Sequence, residues 1–213
     1  MDVMERKDFL ENLDVLISVV SRLHAETSDA WSKMGSEQPN LKSLQVRDIF
    51  EEDLFPTITA YDMFVSSMDL DKTIGSYERE EFEVKSRVKM INSIQSKIER
   101  YTNMSHEGKV SINKCFNDLL GVRVIANCDI THEEICGHVR NTFDMKCIDS
   151  SKTDPETGEP TYIATHIYFR TGNKDFPWEL QIWLTKNAER NFASHEKYKQ
   201  GYKVWDTDNG GGP

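Results

Sequence analysis

The spacing of apolar residues predicts helices in the first third of the chain. Apolar side chains recur every three or four residues over positions 5–25, which is the pattern of one helical face. A polar break over positions 28–42 contains Gly35 and Pro39. A second helical pattern covers about positions 43–68 and is expected to be interrupted near Pro56. We expect these segments to form a helical layer that packs on the rest of the protein.

From about position 80, the pattern changes to strands that alternate with helices. Strands are predicted at 82–89, 122–128, 162–170 and 178–184. Helices are predicted at 93–101 with Ser93 as N-cap, at 112–120 ended by Gly121, at 131–143, and at 185–199. Thr131 and Glu134 have the spacing of a capping box, and 149–160 is predicted to be a polar loop.

This order of elements predicts an α/β (α+β) fold, with a mixed β-sheet core flanked by helices and an N-terminal helical layer. We predict a helical extension at 1–75, a catalytic domain at 76–205 and a flexible glycine-rich tail at 206–213. The 38% hydrophobic content is sufficient for a packed core. The chain contains no run of about 18 apolar residues, so no membrane span is predicted. The acidic N-terminus lacks the apolar stretch of a signal peptide, so we expect a cytoplasmic protein.

Charge and cysteine content exclude several kinds of site. The net charge of −10 argues against coating of nucleic acid by an overall basic surface, but allows a local basic pocket for nucleotide phosphates. The four cysteines, Cys115, Cys128, Cys136 and Cys147, form no CxxC pair. This spacing argues against a zinc or redox motif and predicts buried, reduced thiols.

Cations concentrate on one predicted strand and on the helix that follows it. They are Lys85, Arg87 and Lys89 on the strand, and Lys97 and Arg100 on the helix. The strand cations alone are equally consistent with a solvated sheet edge. The helix adds two cations on one face, and the backbone N–H groups at its start near Ser93 favour anions. The strand and the helix together therefore predict a polyphosphate site. The chain has no GxxxxGK[ST] and no GxGxxG motif, which argues against a P-loop, a Rossmann site and a kinase glycine-rich loop.

Two carboxylates are candidate magnesium ligands. Asp118 comes just before a buried strand and suits Mg²⁺, although a turn cap is an alternative. Glu179 and Gln181 share one strand face. Glu179 could be a metal ligand or a general base with Gln181 as its polar partner. The alternative is that the two residues lie on an ordinary half-exposed sheet face. Tyr162 and His166 share another strand face about 13 Å apart, too far to touch one atom but close enough to contact one nucleotide. An ordinary amphipathic strand is the alternative for this last pair.

Together these residues resemble the synthetase domain of the RelA/SpoT family. Five motifs carry the resemblance in order: Arg87-x-Lys89-x-x-x-Ser93-Ile94-x-x-Lys97, Asp118-Leu-x-x-x-Arg123, Tyr162-x-x-x-His166, Glu179-Leu-Gln181-Ile182 and His195-x-x-Tyr198-Lys199. The resemblance implies a nucleotidyltransferase-like core and an ATP-dependent pyrophosphokinase. Such an enzyme transfers the β,γ-diphosphate of ATP to the 3′-hydroxyl of GDP or GTP and makes (p)ppGpp.

The resemblance also implies a role for each motif residue. ATP would be bound by Arg87, Lys89, Ser93, Lys97, Arg100 and Arg123. Asp118 and Glu179 would be the catalytic residues and would bind Mg²⁺, with Glu179 also able to deprotonate the acceptor hydroxyl. The acceptor would be bound by Tyr162, His166, Gln181 and Lys199, with the ring of Tyr162 stacked on the base.

Three departures from the family pattern concern the acceptor. Thr161 replaces a glycine, Ala164 replaces a serine and Trp183 replaces an arginine. The chain is expected to be a small alarmone synthetase without a hydrolase domain. It is also similar to toxic small synthetases that pyrophosphorylate the tRNA 3′ CCA end or make adenosine alarmones. A basic surface for tRNA would come from Lys186, Arg190, Lys197, Lys199 and Lys203.

Partners follow from these alternatives. A toxin would have an antitoxin partner, which the N-terminal helices could bind, and we expect a homo-oligomer or a hetero-complex without membrane attachment. A nucleotide-sensing regulator without activity is the remaining alternative. The presence of both Asp118 and Glu179 argues against it.

Overall fold

The computed structural model describes residues 3–34, 38–103 and 107–208, and describes side chains only up to residue 196 in the last helix. The first part contains α1 (Arg6–Lys33), a 3₁₀ turn (Val46–Asp48), α2 (Leu54–Ser66) and α3 (Leu70–Gly75). The second part contains β1 (Phe82–Val88), α4 (Ile91–Asn103), α5 (Ile112–Cys115), β2 (Leu120–Ala126), α6 (His132–Phe143), β3 (Cys147–Thr153), β4 (Pro160–Phe169), β5 (Trp178–Leu184) and α7 (Thr185–Asp208).

The strands form one five-stranded mixed sheet in the order β1-β2-β5-β4-β3. β2 and β5 are parallel, and the other neighbouring pairs are antiparallel. β5 is buried along its whole length because it has a strand on each side and packed layers on both faces. The predicted mixed sheet flanked by helices is therefore confirmed.

The N-terminal helices share a hydrophobic core with the sheet. The rings of Phe9 on α1 and Phe82 on β1 lie 6.0 Å apart. The indole N–H of Trp178 on β5 donates a hydrogen bond to the hydroxyl of Tyr61 on α2 at 2.8 Å. The helical layer thus packs directly on the central strands, while the predicted domain boundaries stay predictions.

Several predicted boundaries were wrong for local reasons. Pro56 lies in the first turn of α2, where its missing N–H has no helical partner to lose, so it does not interrupt the helix. Gly121 lies inside β2 and does not end a helix, because α5 is a single turn. Ser93 is not the N-cap of α4, since that helix already begins at Ile91. α1 continues to Lys33, into the predicted polar break.

The predicted loop at 149–160 contains most of strand β3. Only Cys147 of this strand is buried, so it has no apolar alternation for sequence analysis to detect. It is an edge strand held by backbone pairing with β4 from Cys147–Ile167 to Thr153–Pro160. The predicted capping box of α6 is confirmed: the Thr131 hydroxyl accepts from the Glu134 N–H, and Glu134 accepts from the Thr131 N–H.

The cysteines and the helices agree with two further predictions. All four cysteines are buried free thiols, and the sulfur atoms of Cys136 and Cys147 lie 2.8 Å apart. Within the described ranges, no helix has both the length and the apolar character needed to cross a bilayer. α7 runs to Asp208, and the last five residues of the predicted tail lie outside the described residues.

Candidate active site

The candidate residues on the strands lie on one face of the sheet. Strand pairing places them in two rows across β1, β2, β5 and β4, because directly paired residues project to the same face. The first row is Arg87, Gly121, Glu179 and Tyr168, and the second is Lys85, Arg123, Gln181 and His166. Residues as far apart in the sequence as Gly121 and Glu179, which are 58 positions apart, therefore become neighbours at strand spacing, about 4.8 Å.

Asp118 lies in a cluster with two lysines at one end of this face. The Lys89 ammonium donates to Oδ2 of Asp118 at 2.7 Å, and the Lys97 ammonium donates to Oδ1 at 2.8 Å. The three side chains are only 14–17% exposed. The backbone N–H of Lys89 donates to the Leu119 carbonyl at 2.8 Å, so the end of β1 is held against the start of β2.

The charges in this cluster are strongly coupled. Burial opposes ionisation of Asp118, but the ammonium groups of Lys97 and Lys89 outweigh it and hold the pKa of the carboxyl well below its ordinary value. Burial lowers the pKa of Lys89, and the attraction of Asp118 only partly offsets it. For Lys97 the attraction of Asp118 outweighs burial, so its pKa is raised. The cluster holds an ionised carboxylate with two cations around it.

Glu179 lies in a second group, in which hydrogen bonds fix each side chain. His166 Nδ1 lies 2.9 Å from Oε1 of Glu179, and the Gln181 amide donates to Oε2 at 2.6 Å. The Tyr162 hydroxyl lies 3.2 Å from His166 Nε2, and Arg123 donates to the Gln181 carbonyl oxygen at 3.3 Å. A carboxylate can only accept, so Nδ1 of His166 carries the proton that it shares with Glu179.

This group corrects two expectations. Tyr162 and His166 were expected to be too far apart to touch one atom, but the side chains lean along the strand and contact each other. Glu179 and Gln181 are 5% and 8% exposed, so the half-exposed sheet face is wrong for this pair. A carboxylate this deeply buried needs partners, and the His166 and Gln181 side chains supply them.

The ionisation of Glu179 depends on these partners. Burial raises the pKa of Glu179, but the hydrogen bond and the charge of His166 outweigh it, and the net pKa is lowered. Asp118 acts in the opposite direction, so the two carboxylates are near enough to interact. Tyr168, which sequence analysis did not select, is paired with Glu179 across β4 and β5, and its pKa is raised by burial and by the charge of that carboxylate. The alternation of Tyr162, Ala164 and His166 along β4 was the signal that could have included it.

Arg123 is held over an aromatic ring. Its guanidinium carbon lies 3.8 Å from the centre of the Trp183 ring, a cation–π contact. Burial and the nearby charge of Arg87 lower the pKa of Arg123 to about 10, which leaves it protonated at neutral pH. Its Nε is buried and has no hydrogen-bond partner among the described residues. Trp183 therefore supports a cation on the site face.

The remaining predicted residues are less closely joined to these two groups. Ser93 and Arg100 lie on α4, about one turn before and one turn after Lys97. Lys85 lies in the second row but forms its ion pair with Glu83. Lys199 lies outside the residues whose side chains are described. No group of three or more His, Cys, Asp or Glu side chains in the described parts of the chain could hold a metal ion, so any metal here would rely on the two carboxylates and its substrate.

A protein-family model matches the part of the chain that contains most of these residues. The model of the region found in RelA / SpoT proteins matches residues 86–203, more than half of the chain. The chain belongs to the RelA/SpoT family. It is an enzyme of the pyrophosphokinase type that this family comprises. No curated protein matches the chain.

Solved structures show distant likenesses. Small alarmone synthetase 1 from Bacillus subtilis is 21% identical, with 78% of this chain and 83% of that chain covered and a TM-score of 0.37. A GTP pyrophosphokinase family protein from Streptococcus pneumoniae is 18% identical, with 72% and 77% covered and a TM-score of 0.38. Small alarmone synthetase 2 from Bacillus subtilis is 19% identical, with 78% and 84% covered and a TM-score of 0.32.

Proposed function

We propose that this RelA/SpoT-family enzyme transfers the β,γ-diphosphate of ATP to the 3′-hydroxyl of GDP or GTP and makes (p)ppGpp. The observation that carries the proposal is the arrangement of Glu179. It is buried, ionised and oriented by His166 and Gln181, and it interacts electrostatically with the half-buried carboxylate of Asp118. These features support a role for Glu179 as the base on the acceptor side, next to a cationic cluster suited to phosphates.

The cationic half of the face suits ATP. Lys89 and Lys97 can bind phosphate oxygens in addition to Asp118, because each ammonium has three donors. Arg87 and Arg123 lie on the same face and present guanidinium planes for the adenine. Diphosphate transfer depends mainly on positioning and on neutralising charge, and this half of the face can provide both.

The two carboxylates fit Mg²⁺. Glu179 is buried, Asp118 is half-buried and both are ionised, and Mg²⁺ is usually bound by one or two carboxylates together with substrate phosphate oxygens. Asp118 and Glu179 would therefore hold the ion. When bound, Mg²⁺ would neutralise charge on the transferred phosphates.

The acceptor half supplies a base and an aromatic ring. Tyr162 is 6% exposed and its ring lies edge-on to Trp183 and His195, so the ring must turn outward to stack on the nucleobase. His166 keeps Glu179 oriented towards the acceptor. Glu179 accepts the proton of the 3′-hydroxyl as the ribose oxygen bonds to the β-phosphorus of ATP. The bond from that phosphorus to the α,β-bridging oxygen breaks, and AMP leaves.

The departures from the family motifs lie beside the acceptor half. Ala164, in place of a serine, is fully buried against Trp183 and Tyr162. The Thr161 hydroxyl donates to the Lys152 carbonyl on β3 at 3.2 Å. Ala164 has no hydroxyl group to offer the acceptor, and the Thr161 hydroxyl is used in its bond to β3. The identity of the acceptor is therefore the point to test.

The test incubates the protein with γ-labelled ATP and Mg²⁺, and offers GDP, GTP, ATP or deacylated tRNA in parallel. We expect label on GDP or GTP, and loss of labelling when EDTA removes the metal. Label only on tRNA would refute the nucleotide acceptor and support a toxin that needs an antitoxin. Label on none of the four would refute the proposed transfer.

A further inference from the structure

A cavity of about 560 Å³ lies beyond the two groups, at the opposite end of β4 from Tyr162. Four cations line it, one from each of four separate segments: Lys42, Lys114, Lys146 and Arg170. Asp144 is the single carboxylate in the lining. In a chain of net charge −10, this is a local excess of positive charge.

The four cations lack partners of opposite charge. Among the described residues, none of the four forms a salt bridge, although Lys146 lies 5.4 Å from the centre of the Tyr168 ring. Cations that line one concave surface repel each other, although all four are exposed and solvent screens part of this repulsion. A bound anion would remove the repulsion, so the cavity suits a multiply charged anion.

The cavity adjoins the reaction centre but is separate from the base-stacking position. Tyr168 lines the cavity and is the cross-strand neighbour of Glu179, and Asn117 lines it directly before Asp118. Tyr162 and Arg170 are eight residues apart along an extended strand, roughly 26 Å between Cα atoms. An anion in the cavity would lie next to the catalytic carboxylates, on the side away from Tyr162.

We propose that this basic cavity binds a polyphosphate group, separately from the phosphates held by the Asp118 cluster. Ammonium and guanidinium groups form short, charge-assisted hydrogen bonds with phosphate oxygens, and Asn113 and Asn117 add neutral amide donors. The polyphosphate comes either from the acceptor nucleotide or from a separate nucleotide ligand. The binding chemistry is the same in both cases, and competition distinguishes them.

The experiment is calorimetric titration of pyrophosphate at low salt, into protein whose ATP site is saturated with a non-hydrolysable ATP analogue. The cavity variant is Lys114→Gln with Arg170→Gln. The matched control, Lys7→Gln with Arg22→Gln, removes the same charges from exposed positions of α1. We expect binding to weaken at least about tenfold in the cavity variant and to stay unchanged in the control.

No binding to the wild type, or equal weakening in both variants, would overturn the proposal. If the cavity variant does not fold, Lys146→Gln alone applies the same test at a third wall of the cavity. A second titration adds saturating GDP. Loss of pyrophosphate binding assigns the site to the acceptor phosphates, and retained binding assigns it to a separate ligand. The readout is heat of binding, so the result holds whether or not transfer to GDP is observed.

Discussion

The Asp118 cluster and the Glu179 group hold a buried carboxylate in different ways. Asp118 is held by two charged ammonium groups, from the end of β1 and from α4, in a turn before β2. Glu179 is held mainly by hydrogen bonds from His166 and Gln181, within two paired strands. The first arrangement depends on charge, and the second depends on strand register.

The difference indicates which half can rearrange. Flexible lysine side chains can turn from Asp118 to an incoming phosphate, because their heads are point charges with rotatable donors. The strand-borne side chains of the Glu179 group have little freedom, since their positions are set by pairing and burial. Substitutions in the two groups should therefore affect different properties.

Asp118→Asn should have the largest total effect, because it removes the counter-charge of two cations that are only 14–15% exposed. We expect a loss of about 3 kcal/mol in the free energy of unfolding, measured by urea denaturation, together with loss of diphosphate transfer. Asp129→Asn, at an exposed position before α6, is the control and should change neither property. A variant of Asp118 with wild-type stability would refute the charge-dependent description of the cluster.

The same ion pairs predict a dependence of stability on pH. The pKa of Asp118 is lower in the folded state than its ordinary value of 3.8. The contribution of Asp118 to the free energy of unfolding is therefore fully present above pH 3.8. It is lost as the pH falls below 3.8 towards the folded pKa. Urea denaturation at pH 6 and pH 3 should show a smaller difference between wild type and Asp118→Asn at the lower pH.

Glu179→Gln should reduce activity without a comparable loss of stability. The amide keeps the shape and can still accept the His166 hydrogen bond, but it loses the one from the Gln181 amide and cannot accept the proton of the acceptor hydroxyl. We expect kcat to fall by about a hundredfold or more, with a smaller loss in the free energy of unfolding than in Asp118→Asn. Glu189→Gln on the exposed side of α7 is the matched control. Normal turnover in the Glu179 variant would exclude it as base and as metal ligand.

Tyr162 should show the smallest effect, limited to the acceptor. Tyr162→Ala removes the stacking ring, and we expect the KM for the acceptor to rise about tenfold, with the KM for ATP unchanged. Tyr162→Phe keeps the ring and loses only the contact with His166, so its acceptor KM should change much less. Equal effects of both variants would show that the hydroxyl, and not stacking, determines the role of Tyr162.

The sequence was most informative where local pattern and chemistry coincide. β5 was predicted with its observed bounds because seven buried residues lie between a polar loop and a helix. β3 was missed because backbone pairing, rather than side-chain burial, holds an edge strand. The direct contact of Tyr162 with His166 was missed because strand rise predicts backbone spacing but not side-chain direction.

Motif spacing also could not reveal residues that act through tertiary neighbours. Tyr168 belongs to no recognised motif, and its position beside Glu179 depends on the register between β4 and β5. Trp183 stands where the family motif has an arginine, but its ring packs against the guanidinium of Arg123 on the neighbouring strand. Cross-strand pairing is a long-range property, so a single sequence does not give it.

The parallel pairing of β2 and β5 has a consequence for the evolution of the site. Seven residue pairs, from Leu120–Trp178 to Ala126–Leu184, fix the positions of these strands relative to each other. Asp118 precedes one strand and Glu179 begins the other, so their spacing is set by the ladder and not by the intervening chain. Insertions and deletions in the β3–β4 turn can therefore accumulate without moving the carboxylates.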